Sequence, residues 1–213
     1  MLKPLIEFGK FPLIWKYRVR KLKGEFTMKD RKIYILLTDT GTVLTRVIRL
    51  YTKKTYNHAS LSLDPNLTEV YSFGRKRPNN PFIGGFVKEN ITTGPLREAD
   101  CVIYSCTVSE RQYQQIQTFL KEIEIQEHLY RYNFIGLFAF MLKKELHRKN
   151  AYFCSEFVAT ALSNSGIVQL RKPPSFVAPH DFEDIRDFQL EFRGKLASFY
   201  RKKQYYDHLS LSS

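Results

Sequence analysis

The stretch RKNAYFCSEFVATALSNSGI, residues 148–167, places a lone cysteine, Cys154, at the start of a predicted helix. Its apolar residues recur at helical spacing, and a glycine stands where a C-terminal cap belongs. The pattern therefore predicts a helix over residues 155–164. A helix N-terminus stabilises a thiolate, so a sulfur at this position is suited to nucleophilic chemistry. The residues that carry the pattern are Phe157, Val158, Ala161, Leu162 and Gly166.

The composition of the 213-residue chain is typical of a single folded unit, with 43% hydrophobic and 15% aromatic residues. The longest uninterrupted apolar run, residues 134–142, is about half of the roughly 20 residues that a membrane-spanning helix needs. The first thirty residues show no cleavable secretory signal. We therefore expect a cytoplasmic protein without a membrane span, in which Cys101, Cys106 and Cys154 form no disulfide.

The net charge of +13 indicates attraction to phosphates, either on nucleic acid or on anionic lipid headgroups. The basic residues are scattered along the chain and no nucleic-acid motif is present, so nucleic acid is not an expected partner. Residues 1–24 mix aromatic, apolar and basic side chains, as segments at a membrane surface do. An arm that docks its aromatic side chains on the domain is an equal alternative. We expect a basic aromatic arm at 1–30 and a domain at 31–213, with peripheral contact to the inner surface of an anionic membrane.

The first half of the domain reads as a strand, a helix and a hairpin. Residues 32–37 are β-branched and aromatic, which predicts a strand, and apolar residues at helical spacing predict a helix over 43–54. Residues 58–63 alternate, a turn sequence follows, and 69–73 return as the partner strand. Residues 74–86 contain two prolines and three glycines, which predicts a loop.

The second half adds a strand and further helices. Residues 101–108 predict a strand, and Ser109 with Gln112 forms the capping box of a helix after it. A helical pattern follows at 134–144, before the cysteine helix. The helix that follows the capping box should turn one apolar face inward. The residues on this face are Tyr113, Ile116, Phe119, Leu120 and Ile123.

A catalytic thiolate needs a histidine, and His58 is the best placed of the five in the chain. It begins the alternating strand, which would hold it rigidly, and its side chain shares a face with Ser60 and Ser62. His180 is the rival, although it lies next to Asp181, a predicted helix N-cap. The remaining histidines lie in charged or polar stretches: His128, His147 and His208.

A third group on the adjacent strand should orient the imidazole, because the ring needs a partner on its far nitrogen. Glu69, Tyr71 and Ser72 are the candidates on the strand at 69–73. Strand register cannot be read from the sequence, so Ser72 and Glu69 are favoured equally. A buried structural thiol is the alternative interpretation of Cys154, and one that suits Cys101 and Cys106 better.

The segment TDTGTVLTRVIRLYTKKTYNHASLSLD, followed about a hundred residues later by YFCSEFVATALSNSGI, resembles the circularly permuted papain-like amidases. These form the YiiX-like branch of the NlpC superfamily, which is related to lecithin retinol acyltransferase. The histidine strand precedes the cysteine helix, as in that branch. The resemblance covers residues 31–170 and implies an α+β fold whose cysteine helix packs against an antiparallel sheet. It also implies that Cys154 is the nucleophile and His58 the base, with Ser72 at the third position.

That resemblance implies a cysteine hydrolase that cleaves amide or ester bonds by acyl transfer, without a metal ion or cofactor. The substrate would be a peptide or an acyl lipid, and the basic arm favours an intracellular, lipid-associated one. Ser72 is a weak orienter, whereas related families place a histidine, glutamate or other polar residue there. The alternative is therefore an inactive papain-like module that binds anionic membrane or lipid ligands.

Overall fold

The computed structural model describes residues 30–41, 49, 53–77, 80–146 and 148–211. Within them the chain has an α+β fold, built on a six-stranded antiparallel sheet with the strand order β4-β3-β2-β1-β5-β8. Two short strands, β6 and β7, pair in parallel beside it. The strands are β1 Arg31–Asp39, β2 His58–Ser62, β3 Val70–Arg77, β4 Asn80–Glu89, β5 Asp100–Val108, β6 Arg131–Tyr132, β7 Ala151–Tyr152 and β8 Gln189–Lys195. The α-helices are α1 Gly94–Arg97, α2 Glu110–Ile125, α3 Phe134–Met141, α4 Cys154–Asn164 and α5 Leu196–Leu211.

The locally patterned elements are confirmed. The β-branched run forms β1, the alternating segment and its partner form the β2–β3 hairpin, and residues 101–108 lie in β5. The capping box of α2 is present, with Ser109 accepting a hydrogen bond from the Gln112 backbone. Gly166 follows α4 at a φ of +63°, a conformation that favours glycine after a helix. Antiparallel pairing and an α+β architecture were both implied by the resemblance.

Helices cover both faces of the sheet. On one face α4 brings Phe157 against Phe73 and Phe86, with ring centroids 5.2 and 5.9 Å apart. On the other face, Leu196 of α5 is buried in a cluster with Leu36 and other side chains. The central strand β1 is consequently buried on both sides, which explains why its sequence is a continuous apolar run. The α4 contact holds the start of the cysteine helix close to β2.

The predicted loop at 74–86 is wrong, because β3 continues to Arg77 and β4 occupies Asn80–Glu89. Pro81 is compatible with β4 because this strand lies at an edge of the described sheet, where a missing N–H donor is tolerated. Gly84 and Gly85 of β4 let other parts of the chain approach the strand closely. A Cβ on Gly84 would lie 2.7 Å from the Cβ of Tyr132, so only glycine fits there without a shift. This correction matters for the site, since β4 carries one of its residues.

The predicted arm and the predicted helix at 43–54 fall on residues that the structure mostly does not describe. The arm at 1–30 lies outside the described residues except for its last residue, and so does most of the predicted helix at 43–54. In the ranges that the structure does describe, no helix combines the length and apolar character needed to cross a bilayer.

Candidate active site

Cys154 is the first residue of α4, and the short strand β7 leads directly into it. Local hydrogen bonds fix this turn. The Phe153 N–H donates to Glu156 Oε2 at 3.2 Å, and Ser155 Oγ donates to the Val177 carbonyl at 2.6 Å. The first backbone N–H groups of a helix have no intrahelical acceptor, and Cys154 lies at this end of α4. Cys154 itself is 6% exposed.

His58 is the first residue of β2, where it pairs with Thr38 of β1. Burial opposes a charged ring and would lower the pKa of His58. The Glu89 carboxylate and the Cys154 sulfur outweigh burial through charge and hydrogen bonds, and raise the pKa of His58 well above its ordinary value. The Cys154 sulfur therefore lies close enough to the His58 ring to raise its pKa.

Glu89, the last residue of β4, holds the other side of the ring. His58 Nε2 lies 2.6 Å from Glu89 Oε1. The same carboxylate accepts a hydrogen bond from Ser72 Oγ at 2.7 Å, and its second oxygen accepts one from Ser60 Oγ at 2.6 Å. Burial would raise the pKa of Glu89, but the His58 charge and these three hydrogen bonds lower it. Three partners from two neighbouring strands therefore hold an ionised carboxylate against the imidazole.

Ser72 and Glu69, the two residues predicted to orient the imidazole, make their hydrogen bonds with residues other than His58. Ser72 acts one step removed, because its hydroxyl binds Glu89, the group that touches His58. Glu69 is exposed and accepts hydrogen bonds from Tyr71 Oη and Lys88 Nζ. Sequence reasoning missed Glu89 because this residue follows the segment interpreted as a loop. A polar residue at the end of an unrecognised strand gave no signal of its own.

His180 follows Pro179, which lines the same pocket as Cys154. It lies on the 3₁₀ helix Pro179–Asp184, and burial lowers its pKa. Among the described residues, the charges that act on it are those of Asp181, Glu183, Lys54 and Lys172. Cys154 is not among these charges, whereas it is among those that raise the pKa of His58, and this favours His58 over His180 as the base.

A narrow pocket opens beside the sulfur, and its walls are largely apolar. Its free volume is about 20 Å³, roughly the space of a single water molecule. Burial, together with negative charge at Cys154 and Glu156, raises the pKa of the Tyr132 phenol, which therefore stays protonated as a hydrogen-bond donor. The residues that line this pocket include Asn57, Tyr132, Leu137, Phe140, Cys154 and Pro179.

The other two cysteines lie in β5 and are chemically distinct from Cys154. All three are free thiols. Burial raises the pKa of Cys101 to about 12, and it raises the pKa of Cys106 as well. Both side chains are packed in the apolar clusters on the two faces of the sheet. These thiols are protonated at neutral pH, as expected of structural cysteines.

In the described part of the chain, no group of three or more His, Cys, Asp or Glu side chains could hold a metal ion. Comparison of the chain with protein-family models, with curated proteins and with solved structures found no match. The functional interpretation therefore depends on the arrangement of Cys154, His58 and Glu89.

We expect Glu89→Gln to lower the pKa of His58 toward its ordinary value, because the substitution removes the carboxylate charge and keeps the side-chain size. The measurement is the NMR titration of the His58 ring. Glu69→Gln is the matched control, since Glu69 binds Tyr71 and Lys88 and lies away from the ring. An unchanged His58 titration in Glu89→Gln would mean that another group orients the imidazole.

The same variant should lose stability over a defined pH range. Folding lowers the pKa of Glu89, so its contribution is present above the ordinary carboxyl value of 4.5 and is lost as the pH falls through the lowered pKa. Folding raises the pKa of His58, so its contribution is complete below the ordinary value of 6.5 and is lost as the pH rises through the raised pKa. The unfolding free energies of wild type and Glu89→Gln should therefore differ most between those two ordinary values.

Proposed function

We propose that this protein is a cysteine hydrolase that cleaves amide or ester bonds by acyl transfer, with Cys154 as nucleophile, His58 as base and Glu89 as orienter. The single observation that carries the proposal is the His58 ring, whose pKa the nearby Cys154 sulfur raises and which lies 2.6 Å from the buried Glu89 carboxylate. A cysteine is activated when a base lies beside it and an acidic side chain holds that base in place by a hydrogen bond.

The reaction would proceed in two steps. The thiolate attacks the substrate carbonyl, a C–S bond forms, and the C–N or C–O bond breaks as the His58 imidazolium donates its proton to the leaving group. Water then attacks the thioester, with His58 accepting its proton, and the acid is released with the thiol regenerated. Glu89 stabilises the imidazolium in both steps without itself being protonated.

The start of α4 supports the negative charge that develops on the carbonyl oxygen. Cys154 lies at the N-terminus of α4, where the Cys154 and Ser155 backbone N–H groups and the positive end of the helix dipole could stabilise an oxyanion. The Tyr132 phenol lines the same pocket and remains protonated. These donors belong to fixed backbone and packed side chains, so little reorganisation would be needed on reaction.

The order of the site residues along the chain supports membership of the circularly permuted papain-like amidases. His58 and Glu89 lie on strands that precede the helix of Cys154. We propose this fold assignment together with the activity. The glutamate of β4 supplies the polar partner for which Ser72 was the weak candidate. The apolar lining of the pocket suits an apolar substrate group next to the scissile bond, and the pocket would have to widen beyond its present volume of about 20 Å³ to admit a side chain or an acyl chain.

The test is covalent trapping of the acyl-enzyme. Wild-type protein incubated with p-nitrophenyl butyrate should release p-nitrophenol, and a single butyryl adduct should map to Cys154 by peptide mass spectrometry. Iodoacetamide should also label Cys154 at neutral pH far faster than Cys101 or Cys106, because burial keeps those two thiols protonated.

The second candidate function is an inactive papain-like module that binds anionic lipid. Absence of an adduct, together with equal alkylation of all three cysteines in the folded protein, would reject the hydrolase and favour this module. A butyryl adduct on lysine or on Cys101 instead of Cys154 would also contradict the proposed mechanism.

A further inference from the structure

The helix α3 exposes large apolar side chains to solvent. Ile135 and Phe138 of α3, and Leu142 just after its end, are 57, 54 and 70% exposed, and their spacing of three and four residues places them on one side of the helix. We call these three residues the α3 outer face. Three exposed apolar side chains on two turns indicate a surface that contacts something other than water.

The opposite side of α3 faces the protein and reaches the candidate active site. Leu137 is buried there, and both Leu137 and Phe140 line the pocket that contains Cys154. The helix start is fixed by Asn133, whose side chain accepts a hydrogen bond from the Gly136 N–H at 2.9 Å. A Cβ on Gly136 would collide with that side chain, so the glycine keeps the cap intact. The outer face is thus presented by a firmly capped helix.

Basic residues flank the outer face at its C-terminal end. Lys143, Lys144, Arg148 and Lys149 are exposed, with Glu145 as the acidic residue among them. Apolar side chains bordered by lysine and arginine match the interface of an anionic bilayer, where the apolar groups enter the headgroup region and the cations pair with phosphates. A protein partner would need complementary shape, whereas a bilayer needs only this combination of apolar surface and positive charge.

We propose that the α3 outer face is a membrane-contact surface that docks the protein on an anionic bilayer. Docking there would hold the pocket beside the lipid, because the inner side of the same helix lines it. Binding through this surface requires no catalysis by Cys154. It also differs from the membrane contact expected of the N-terminal arm, and the two can be distinguished by experiment.

The first measurement is binding of the full chain to vesicles by sedimentation. Vesicles of phosphatidylcholine and phosphatidylglycerol in equal parts should bind the protein, and phosphatidylcholine alone should bind it at least about tenfold more weakly. The double variant Ile135→Ser with Phe138→Ser should lose about tenfold or more in affinity for the anionic vesicles. Leu190→Ser is the matched control, because Leu190 is 55% exposed on β8, at the sheet edge opposite β4.

Charge reversal tests the basic flank separately. Lys143→Glu with Lys144→Glu should weaken binding by about tenfold or more. Each basic residue near an anionic surface contributes roughly fivefold to the affinity. Lys121→Glu with Lys202→Glu changes the net charge equally at exposed positions on α2 and α5, and should have a clearly smaller effect. Equal effects of the two pairs would show that net charge alone drives binding, and would overturn the proposal.

A depth probe gives direct evidence of contact. With Trp15→Phe removing the native tryptophan, Phe138→Trp places a single indole on the outer face. Its emission should shift to the blue on anionic vesicles and be quenched by brominated lipid. Unquenched emission from vesicle-bound protein would mean that another segment, such as residues 1–24, makes the contact. A molecular mass in solution that falls on Ile135→Ser with Phe138→Ser would instead assign the face to a second copy, again overturning the proposal.

Discussion

Cys154→Ser is expected to slow formation of the acyl-enzyme from p-nitrophenyl butyrate by about a thousandfold or more, while the protein stays folded. A serine hydroxyl at this position is far less ionised than a thiol and is a much weaker nucleophile. The two side chains have the same shape, so the packing around the 6%-exposed Cys154 is retained. The measurements are single-turnover release of p-nitrophenol and the thermal unfolding midpoint.

Cys106→Ser is the control for this experiment. Cys106 is also a buried thiol, 3% exposed in β5, and it packs in the apolar cluster on one face of the sheet. Its replacement should affect stability and leave the single-turnover rate of the folded protein unchanged. If Cys154→Ser retains the wild-type rate, Cys154 is not the nucleophile and the proposed mechanism fails.

His58→Ala is expected to slow acylation of Cys154 by about 10²–10⁴-fold, because the variant loses both the proton acceptor and the positive charge that pairs with the thiolate. Iodoacetamide labelling of Cys154 near neutral pH should slow in parallel. Peptide mapping isolates the Cys154 signal from those of the buried Cys101 and Cys106, so the native cysteines can remain. The measurement is the labelling rate as a function of pH.

His180→Ala is the matched control, since His180 lies on the 3₁₀ helix Pro179–Asp184 and its pKa is set by burial and by charges other than that of Cys154. It should leave both rates near wild type. The reverse pattern, with His180→Ala slowing the reaction and His58→Ala leaving it unchanged, would exclude His58 as the base. The permuted papain-like assignment, which depends on His58, would then fail as well.

Cys154 and His58 could be identified from the sequence because local patterns place both of them. Helical periodicity predicts α4 and a terminal glycine predicts where it ends, and strict alternation predicts the strand that His58 opens. Each of these signals depends on a few consecutive residues and on the geometry of a single element. That they contact each other across the fold was implied by the family resemblance, and the structure brings them together.

Glu89 could not be predicted, because its role depends on strand pairing. Its strand β4 contains a proline and two adjacent glycines, a composition that normally indicates a loop. The strand exists because it lies at a sheet edge and because Gly84 allows Tyr132 to approach its backbone. Both reasons depend on how distant parts of the chain are arranged, so the local sequence does not reveal them. Ser72 donates a hydrogen bond to Glu89, which in turn contacts His58, and the sequence contains no signal of this intervening carboxylate.

The hydroxyls of Ser60 and Ser72 have a consequence for the direction of proton movement. They occupy lone pairs on both oxygens of Glu89, and His58 Nε2 occupies a further one. A carboxylate with this many donors keeps its charge, so the Nε2 proton stays on the ring and the imidazole cannot turn over without breaking the contact. In the proposed mechanism, Nδ1 is then the nitrogen left to exchange a proton with Cys154. The site would move one proton at a time between sulfur, Nδ1 and substrate, with the sheet itself fixing the tautomer.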